Sequence, residues 1–263
     1  MARVSLSAVI ITCDAATVLP DCLASLAFAD DILVVDSGSR DTTVALARAS
    51  GARVIVQPWL GYGRQKRFAV QQAAHDWVLC LDADERVSAE LREQLLQELA
   101  APRCHAYSMP RCNRFMGRWL RHGEGYPDRS LRLFHRDHGQ WSTDPIHEQV
   151  ETRGTVGQLS GDILHESAQS LEGYLAKQNQ YTSLQARQWA ASGRPVGPGR
   201  LVLSPVVRFI KFYFLRRGFL DGLPGLVHIS IGCFNSFMKY AKVLAEQKQG
   251  EAVGPPPRSC AEG

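Results

Sequence analysis

The sequence contains no C-x-x-C pair, no internal repeat and no strong excess of charge of either sign. Several of its seven cysteines stand inside apolar runs, where cysteine behaves as a small hydrophobic residue, and this usage favours a reducing compartment. The net charge of +4 is too small to indicate a nucleic-acid partner. It suits an anionic ligand or an acidic membrane surface instead.

The chain also lacks a run that predicts a helix spanning a bilayer. Its longest uncharged stretch near the C-terminus, residues 222–238, contains Pro224, His228 and Asn235. Residues 201–242 are apolar and aromatic with basic residues between them, which is typical of a helical surface at a membrane interface. A helical pair packed on the core or on a second subunit fits the same pattern. Residues 6–11, with no cleavage site after them, predict a first strand rather than a secretion signal.

What the sequence does contain is an alternation of strand and helix signals over residues 4–100. Short apolar runs predict strands at residues 9–12, 32–35, 54–56 and 78–81, with helical spacing of apolar residues between them. This alternation predicts a parallel sheet covered by helices on both faces. Further on, strands are predicted at residues 106–110, 130–134 and 157–164, followed by a helical region after residue 168 that is interrupted at residues 193–199.

Polar clusters follow three of the predicted strands, where ligands bind in open sheets of this kind. They are Thr12-Cys13-Asp14, Asp36-Ser37-Gly38-Ser39 and Asp82-Ala83-Asp84-Glu85. Two carboxylates at positions i and i+2 after a buried strand can converge on a hard divalent cation, which shares its oxygen ligands with substrate phosphates. The third cluster therefore indicates transfer from a phosphorylated donor, although an Asp-x-Asp triplet also occurs in ordinary surface turns.

Arginines crowd the next segment, with Trp119 and Tyr126 interleaved. They are Arg111, Arg114, Arg118, Arg121, Arg129 and Arg132. Individually each fits a solvated surface position. Together they are typical of a wall that faces an anionic ligand.

Motifs spread from the first strand to the C-terminal region resemble those of the family 2 glycosyltransferases, inverting enzymes with the GT-A fold. The closest resemblance is to the branch of lipopolysaccharide inner-core β-1,4-glucosyltransferases. The matching residues are 9–12, 32–43, 57–66, 77–85, 126–134, His147-Glu148 and 217–222. The chain departs from the family pattern at Asp14-Ala15, where Asn-Glu is usual, and at Arg67, where Asn is common.

The resemblance implies an α/β fold with a GT-A-type, Rossmann-like mixed sheet, flanking helices and a C-terminal helical extension. Residues 1–167 would be the catalytic domain, with a nucleotide-sugar-binding half at 1–100 and an acceptor half at 101–167. Residues 168–249 would form a helical, membrane-associating region. Residues 250–263, which include three consecutive prolines, are predicted to be a disordered tail.

The resemblance also implies roles for individual residues. Asp36 would meet the base or ribose, as a carboxylate at a strand end can, and the alternative is a role as a helix N-cap or turn acid. Asp82 would lie beside the ribose, and Asp84 would bind Mg²⁺ or Mn²⁺. His165 and His147 each fit either a ligand or a structural role. The remaining expected nucleotide-sugar contacts are Thr12, Asp14, Ser37, Arg64, Lys66, Arg129 and Arg132.

An inverting transfer requires a base that takes the proton of the acceptor hydroxyl. Glu148 is the first candidate for this base, and Asp128 is the second. Arg129, next to Asp128, would tend to keep that carboxylate ionised and weakly basic.

The implied reaction moves a hexose, glucose in the first instance, from a UDP-sugar to an inner-core heptose of lipopolysaccharide. The implied partners are the donor, a lipid A-linked acceptor and the inner membrane, on whose cytoplasmic face the protein would be peripheral. A polyprenyl-linked or protein acceptor, and a non-catalytic sugar-binding protein, are the alternatives. A nucleotidyltransferase would need a glycine-rich, lysine-bearing loop after the first strand, and residues 11–17 contain none.

Overall fold

A computed structural model of the chain describes residues 3–144, 148–166, 170–193 and 196–252. The first part alternates strands and helices. Its elements are β1 (Leu6–Thr12), α1 (Leu19–Ser25), β2 (Asp31–Asp36), α2 (Thr43–Ala49), β3 (Arg53–Val56), α3 (Tyr62–Gln71), β4 (Trp77–Asp82), β5 (Glu85–Val87) and α4 (Ala89–Ala100).

The second part consists of short strands followed by helices. The strands are β6 (Ala106–Phe115), β7 (Arg118–Trp119), β8 (Asp128–His135), β9 (Gly139–Trp141), β10 (Val150–Thr152), β11 (Val156–Gln158) and β12 (Ile163–His165). The helices are α5 (Leu171–Ala191), α6 (Pro198–Phe209), a π-helical segment Ile210–Leu215, a 3-10 turn Gly218–Asp221 and α7 (Gly222–Ala252).

The main sheet is mixed and has the strand order β3-β2-β1-β4-β8-β6-β12-β5. The strands β3, β2, β1 and β4 are parallel, whereas β8 runs antiparallel to both β4 and β6. β12 is parallel to β6 and antiparallel to β5, and β9 and β10 pair separately as an antiparallel hairpin. This arrangement, with its flanking helices and its helical C-terminal part, confirms the predicted α/β fold class.

Helices cover both faces of the parallel part of the sheet. β1 is buried along its whole length. Leu6, Ala8 and Ile10 pack on one face with α1, α2 and α4, whereas Val9 and Ile11 pack on the other face with α3. Because successive side chains of a strand point to opposite faces, a continuous apolar run is what a strand in this position needs.

The sheet closes on itself at the turn between β4 and β5. These two strands are neighbours in sequence, yet β8, β6 and β12 lie between them in the sheet. The sheet must therefore curl until β5 returns to the carboxyl end of β4. The joining turn consists of Ala83 and Asp84, so the acidic cluster of the sequence lies at the point of closure.

The prediction of one strand over residues 157–164 is wrong. The structure has two short strands, β11 and β12, with residues 159–162 between them. There the backbone leaves β6, because the N–H of Ser88 donates to the carbonyl of Asp162 at 3.1 Å. Gly161 allows this close approach to α4, since a Cβ at Gly161 would lie 2.4 Å from the backbone of Leu91.

The chain divides into two compact units. The first contains residues up to 115 with 119–121 and 125–168, and the second contains 116–118, 122–124 and the residues after 168. The second unit is helical, with a small core of Ala186, Val196, Tyr240 and Val243 against which Trp189 packs. The functional division predicted at residues 100, 167 and 249 stays a prediction.

The helical part has the interruption that the sequence predicts, but its last helix ends later than predicted. α5 ends at Ala191 and α6 begins at Pro198, which confirms the predicted interruption. α7 continues to Ala252, past the predicted start of the tail, and residues 253–263 lie outside the described residues, as does His147. None of the helices in the described residues has the length and apolarity that crossing a membrane requires.

We expect the centre of the sheet to tolerate truncation poorly. Leu79 on β4 has no exposed surface. Leu79→Ala should lower the free energy of unfolding by about 3 kcal/mol, because truncation leaves a cavity that the packed faces cannot fill. Val56 on the edge strand β3 is 59% exposed, so Val56→Ala should cost less than about 0.5 kcal/mol. Urea unfolding followed by circular dichroism measures both, and equal losses would contradict the assigned burial.

A second prediction concerns the contact between α3 and the loop after β9. A Cβ at Gly63 would lie 2.1 Å from the carbonyl oxygen of Ser142 and 3.4 Å from Cβ of Glu148. Because the nearer atom belongs to the backbone, the loop must move, and Gly63→Ala should cost about 1–3 kcal/mol. Faster amide exchange is expected at Gln149, whose N–H donates to Ser142 Oγ at 3.1 Å.

Gly199 in α6 provides the matched control. It is also a helical glycine, but a Cβ there would have no heavy atom within 4 Å. Gly199→Ala should therefore stabilise the protein by about 0.5 kcal/mol through a less flexible unfolded chain. If Gly63→Ala were as stable as the native protein and left exchange at Gln149 unchanged, the tight packing of this loop would be refuted.

Candidate active site

Arg132 of β8 joins the acids at the closure of the sheet. The residue is 3% exposed, and its Nη2 donates to Glu85 Oε1 at 2.8 Å and to Asp82 Oδ2 at 3.1 Å. Glu85 has no exposed surface, and its Oε2 accepts the backbone N–H of Asp82 at 3.0 Å. Nη1 of Arg111 on β6 lies 3.7 Å from Glu85 Oε1. A buried carboxylate needs such partners, because an unpaired buried charge is strongly destabilising.

Burial and charge act differently on the two acids. Burial raises the pKa of Glu85 and outweighs the opposing charge of Arg132. Burial acts in the same direction on Asp82, but there the charges of Arg132 and Lys66 prevail and hold the pKa well below its usual range. Asp82 is therefore ionised at neutral pH and presents a fixed negative charge at the end of β4.

One edge of the Arg132 guanidinium has no hydrogen-bond partner among the residues that the structure describes. Its Nη1 is buried, and none of the described residues accepts a hydrogen bond from it. Thr12 Oγ1 at the end of β1 is in the same situation within the described part of the chain. Buried donors are seldom left unpaired, since the lost hydration is not replaced. Arg132 Nη1 is thus a donor available to a ligand.

Lys66 of α3 lies between carboxylates from two parts of the chain. Its Nζ is 3.1 Å from Asp82 Oδ1 and 3.3 Å from Glu148 Oε1. The ring of buried Trp141 lies 4.6 Å from this Nζ and 5.6 Å from the guanidinium carbon of Arg132. The indole N–H of Trp141 donates to Cys80 Sγ at 3.3 Å, which orients the ring against both cations.

Asp128 and Arg129 stand at the start of β8. Both Nη2 and Nε of Arg111 donate to Asp128 Oδ2, at 2.7 and 3.1 Å. Arg129 is exposed, and its Nη1 donates to the carbonyl of Leu159 at 3.1 Å. The Asp128 side chain is 41% exposed, compared with 21% for Glu148. The two candidate bases therefore differ in environment, because Asp128 accepts two hydrogen bonds from Arg111 whereas Glu148 lies beside Lys66.

These side chains line one open cavity of about 620 Å³. Its charged lining residues are Lys66, Asp82, Arg111, Asp128, Arg129, Arg132 and Glu148. The volume lies in the range typical of small-molecule sites, roughly 300–1,000 Å³. A basic excess with interspersed carboxylates suits an anionic ligand that also presents hydroxyl groups.

Asp84 and His165 form a second pair at the same closure. His165 Nε2 lies 3.1 Å from Asp84 Oδ2, and His165 Nδ1 lies 2.7 Å from Asn113 Oδ1. A neutral imidazole can donate a hydrogen to only one of these two oxygens. In one arrangement that satisfies both ring nitrogens, Nδ1–H donates to Asn113 Oδ1, and the lone pair of Nε2 is available, with Asp84 Oδ2, to a cation. This donor set fits a divalent metal ion.

The protein alone supplies few ligands for such an ion. Within the described ranges, no group of three or more His, Cys, Asp or Glu side chains is arranged to hold a metal. A metal held by the Asp84–His165 pair would complete its coordination with water and substrate oxygens, as Mg²⁺ does when it binds through substrate phosphates.

The ends of β1 and β2 form a further polar cluster. Both oxygens of buried Asp36 are engaged by its own turn: Oδ2 accepts the N–H groups of Gly38 at 2.8 Å and Ser39 at 2.9 Å, and Oδ1 accepts from Ser39 Oγ. Asp14, with a φ of 47°, accepts the N–H of Arg40 at 2.7 Å. The turn-stabilising role considered for Asp36 is thus present.

Helix α3 connects this cluster with the cavity. Gln65, completely buried, donates from Nε2 to Ser37 Oγ at 3.1 Å. The next residue, Lys66, contacts Asp82 and Glu148. Arg64, before it, is exposed, and among the described residues no side-chain hydrogen bond or ion pair joins it to another predicted contact residue. The side chain of Arg129 likewise contacts Leu159 and not another predicted contact residue.

Sequence reasoning missed several residues of the site. Glu85 was visible as part of the acidic cluster but carried no assigned role, and Arg111 was visible only as a member of the arginine group. Gln65 lies in the matching motif at residues 57–66 but carried no assigned role. Trp141 and Asn113 gave no signal, because their importance comes from contacts made by distant strands. The closure of the sheet brings these contacts about.

Comparison with known proteins agrees with the sequence motifs. The family model described as glycosyl transferase family 2 matches residues 7–153. A lipopolysaccharide core biosynthesis glycosyltransferase, LpsC of Rhizobium meliloti, is 32% identical over 249 residues, which cover 92% of each chain. An uncharacterized glycosyltransferase of Rickettsia typhi is 32% identical over 226 residues, which cover 81% of this chain and 77% of the relative.

Solved structures with a similar arrangement are more distant. TarS of S. aureus, residues 1–349, is 12% identical, covers 94% of this chain and 92% of that chain, and has a TM-score of 0.45. Glucosyl-3-phosphoglycerate synthase of Mycobacterium tuberculosis, in a complex with Mn²⁺ and UDP, is 23% identical with a TM-score of 0.35. That match spans 42% of this chain and 44% of the synthase. The sequence matches carry the assignment: the chain belongs to glycosyltransferase family 2 and is a transferase.

Proposed function

We propose that this family 2 glycosyltransferase moves glucose from UDP-glucose to a hydroxyl of an inner-core heptose of lipopolysaccharide, with inversion at the anomeric carbon. The observation that carries the proposal is the cavity in which Lys66 stands between Asp82 and Glu148. The 32% identity to a lipopolysaccharide core biosynthesis glycosyltransferase of Rhizobium meliloti supports the acceptor class.

The donor would be bound by residues 1–100, with its nucleoside at the ends of β1 and β2. Thr12 Oγ1 is a buried hydroxyl without a partner in the described chain, and it would hydrogen bond the nucleoside there. Asp14, Asp36 and Ser37 would shape this part of the site, and Asp82 would lie beside the ribose. Because Asp36 is engaged by its own turn, it would contact the nucleoside through the remaining lone pair of Oδ1.

The diphosphate would lie among the cations of the cavity. Arg132 Nη1 is buried and has no acceptor among the described residues, which supports a role as a phosphate donor. Lys66 and Arg129 would add positive charge on either side, and Arg64 would reach the phosphates from the exposed face of α3. Since Lys66 contacts Glu148 at 3.3 Å, the same lysine also links the donor site to the proposed base.

Chemistry would begin when Glu148 removes the proton of the acceptor hydroxyl. The hydroxyl oxygen attacks the anomeric carbon from the face opposite the diphosphate, and a new glycosidic bond forms. The bond from the anomeric carbon to the phosphate oxygen breaks, and UDP departs with the electron pair. Asp128 is the weaker candidate for the base, because its Oδ2 already accepts two hydrogen bonds from Arg111.

Asp84 and His165 would hold a Mg²⁺ or Mn²⁺ ion beside the diphosphate. A bound ion of this kind neutralises charge that develops on a departing diphosphate. The support is the donor set itself, with both His165 nitrogens facing oxygen atoms. Asn113 would keep the proton on Nδ1, so that Nε2 presents its lone pair to the ion.

The acceptor would enter the half of the site formed by residues 101–167. Lipid A-linked core oligosaccharide is anchored in a membrane, so we propose that the enzyme works as a peripheral protein on the cytoplasmic face of the inner membrane. A polyprenyl-linked sugar would place the enzyme at the same face, whereas a protein acceptor would not require it.

The choice of base is tested by conservative substitution. Glu148→Gln should lower the transfer rate by about 10²–10⁴-fold, because the amide cannot take a proton. Asp128→Asn should retain transfer within about tenfold, and Glu151→Gln, an exposed position nearby, should match the native enzyme. The assay measures UDP release and product formation from a panel of UDP-sugars with deep-rough lipopolysaccharide.

The outcomes separate the remaining alternatives. An inactive Asp128→Asn beside an active Glu148→Gln would assign the base to Asp128. Transfer to polyprenyl-linked or protein acceptors, with none to lipopolysaccharide, would overturn the acceptor. Absence of both transfer and donor hydrolysis with every UDP-sugar would favour a sugar-binding protein without catalysis.

Metal use has its own test in the binding of UDP. Calorimetric titration should show UDP binding that is lost with chelator and restored by Mn²⁺ or Mg²⁺. Asp84→Asn and His165→Gln should each weaken metal-dependent UDP binding by about 10–100-fold. Asp137→Asn changes a carboxylate that is 74% exposed and should have no effect. Equal UDP affinity with and without chelator would refute the proposed metal site.

A further inference from the structure

Helix α6 has an unusual distribution of polar and apolar side chains. The face that packs on its own unit includes Ser204, which hydrogen bonds Ser236 of α7 at 2.7 Å, and Arg208, which pairs with Glu124. The outward face of α6, continued by two residues of the π-helical segment, is apolar and exposed: Val202 62%, Leu203 63%, Val206 51% and Val207 61% in α6, and Ile210 48% and Phe214 56% in the segment after it. Surface helices of globular proteins normally direct the apolar stripe to the core.

The exposed apolar surface continues beyond α6. Leu215, in the π-helical segment, is 76% exposed, Phe219 and Leu220 of the 3-10 turn are 45% and 44% exposed, and Leu223 of α7 is 65% exposed. We term these four residues and the six of the outward face the apolar stripe. Single exposed apolar residues are common, but ten of them within residues 202–223 indicate an interaction surface.

Positive charge accompanies the apolar stripe. Residues 198–220 contain five basic residues and no acidic residue. Arg208 is paired with Glu124, whereas Arg200, Lys211, Arg216 and Arg217 are exposed. Apolar side chains flanked by exposed cations are what an interfacial helix presents to the headgroups and acyl chains of an anionic bilayer.

We propose that the apolar stripe inserts into the surface of a bilayer containing anionic lipids, with Arg200, Lys211, Arg216 and Arg217 contacting the headgroups. The helices would lie in the plane of the membrane rather than cross it. This inference rests on the proposed function, in which the acceptor is linked to a lipid. It names the residues that would bring the enzyme to the membrane that holds this acceptor.

Charge distinguishes a bilayer from a second copy of the chain as the occupant. Two copies meeting through the apolar stripe in a symmetric dimer would bring two sets of the same four cations together, and like charges at an interface are unfavourable. Anionic headgroups compensate these charges. We therefore expect each basic residue at the surface to strengthen binding to anionic vesicles and to leave binding to neutral vesicles unchanged.

The test is sedimentation of the full chain with vesicles, without donor or acceptor. The native protein should bind vesicles of phosphatidylethanolamine and phosphatidylglycerol, and added salt should weaken the binding. Val207→Asp combined with Phe214→Asp should weaken it roughly 100-fold, since each apolar side chain withdrawn is worth about tenfold. Arg216→Ser combined with Arg217→Ser should weaken it about fivefold per residue, and only on anionic vesicles.

Val156→Asp is the matched control, because Val156 is 46% exposed but belongs to β11 of the first unit. It should bind vesicles as the native protein does. Hydrogen exchange on the native chain adds a measurement that needs no variant, so a misfolded double variant would not leave the question open. Vesicles should slow exchange in residues 202–223 and leave β11 unchanged.

Three results would overturn the proposal: no binding of the native protein to anionic vesicles, equal loss for Val156→Asp, or no added protection in residues 202–223. A second copy of the chain would instead be the occupant of the apolar stripe under a different set of results. Light scattering would show a dimer of the native protein and a monomer of the double aspartate variant, and neither protein would bind vesicles. Vesicle binding without glycosyl transfer would contradict the proposed reaction but not the membrane-binding role of the apolar stripe. Glycosyl transfer without vesicle binding would contradict the membrane-binding role but not the proposed reaction.

Discussion

The buried guanidinium of Arg132 is the interaction on which the site depends. It is nearly inaccessible and contacts Glu85 and Asp82, so it connects β8 with the two strands on either side of the acidic turn. Removing one partner of such a buried pair typically costs about 3–5 kcal/mol, because the other charge remains buried without compensation. The position of the turn residue Asp84 therefore depends on a contact made by a strand almost fifty residues later in the chain.

Helix α3 links the contacts of Arg132 with the rest of the site. Gln65 contacts Ser37 at the end of β2, and Lys66 contacts both Asp82 and Glu148. The ring of Trp141 lies 4.6 Å from Lys66 Nζ and 5.6 Å from the guanidinium carbon of Arg132, so one aromatic side chain contacts two cations that attract the same anion. Hydrogen bonds and ion pairs of α3 thus link the end of β2, the end of β4 and Glu148, which favours a preorganised site for charged ligands.

The sequence predicted the parallel strands and the acidic turn, because both are local patterns of apolar and polar residues. It predicted the pairing of Asp84 with His165 only through a family resemblance, since β12 reaches Asp84 by the curling of the sheet. Trp141 was not predicted, because an aromatic residue on a short hairpin has no periodic signature. The division of residues 157–164 into two strands was also missed, as it depends on the approach of Gly161 to α4. The sequence thus predicts features that depend on neighbouring residues, whereas it does not predict contacts that form when the sheet closes.

The closure of the sheet between β4 and β5 has a consequence for how the chain folds during synthesis. When the ribosome has released only the first hundred residues, Asp82 and Glu85 lack Arg132, and β5 lacks its neighbour β12. The early strands can pair in that state, but the carboxylates must stay hydrated. The turn between them then lacks the contacts with Arg132 that order it in the complete chain. Formation of the reaction centre is consequently a late, non-local event, of the kind that high contact order makes slow.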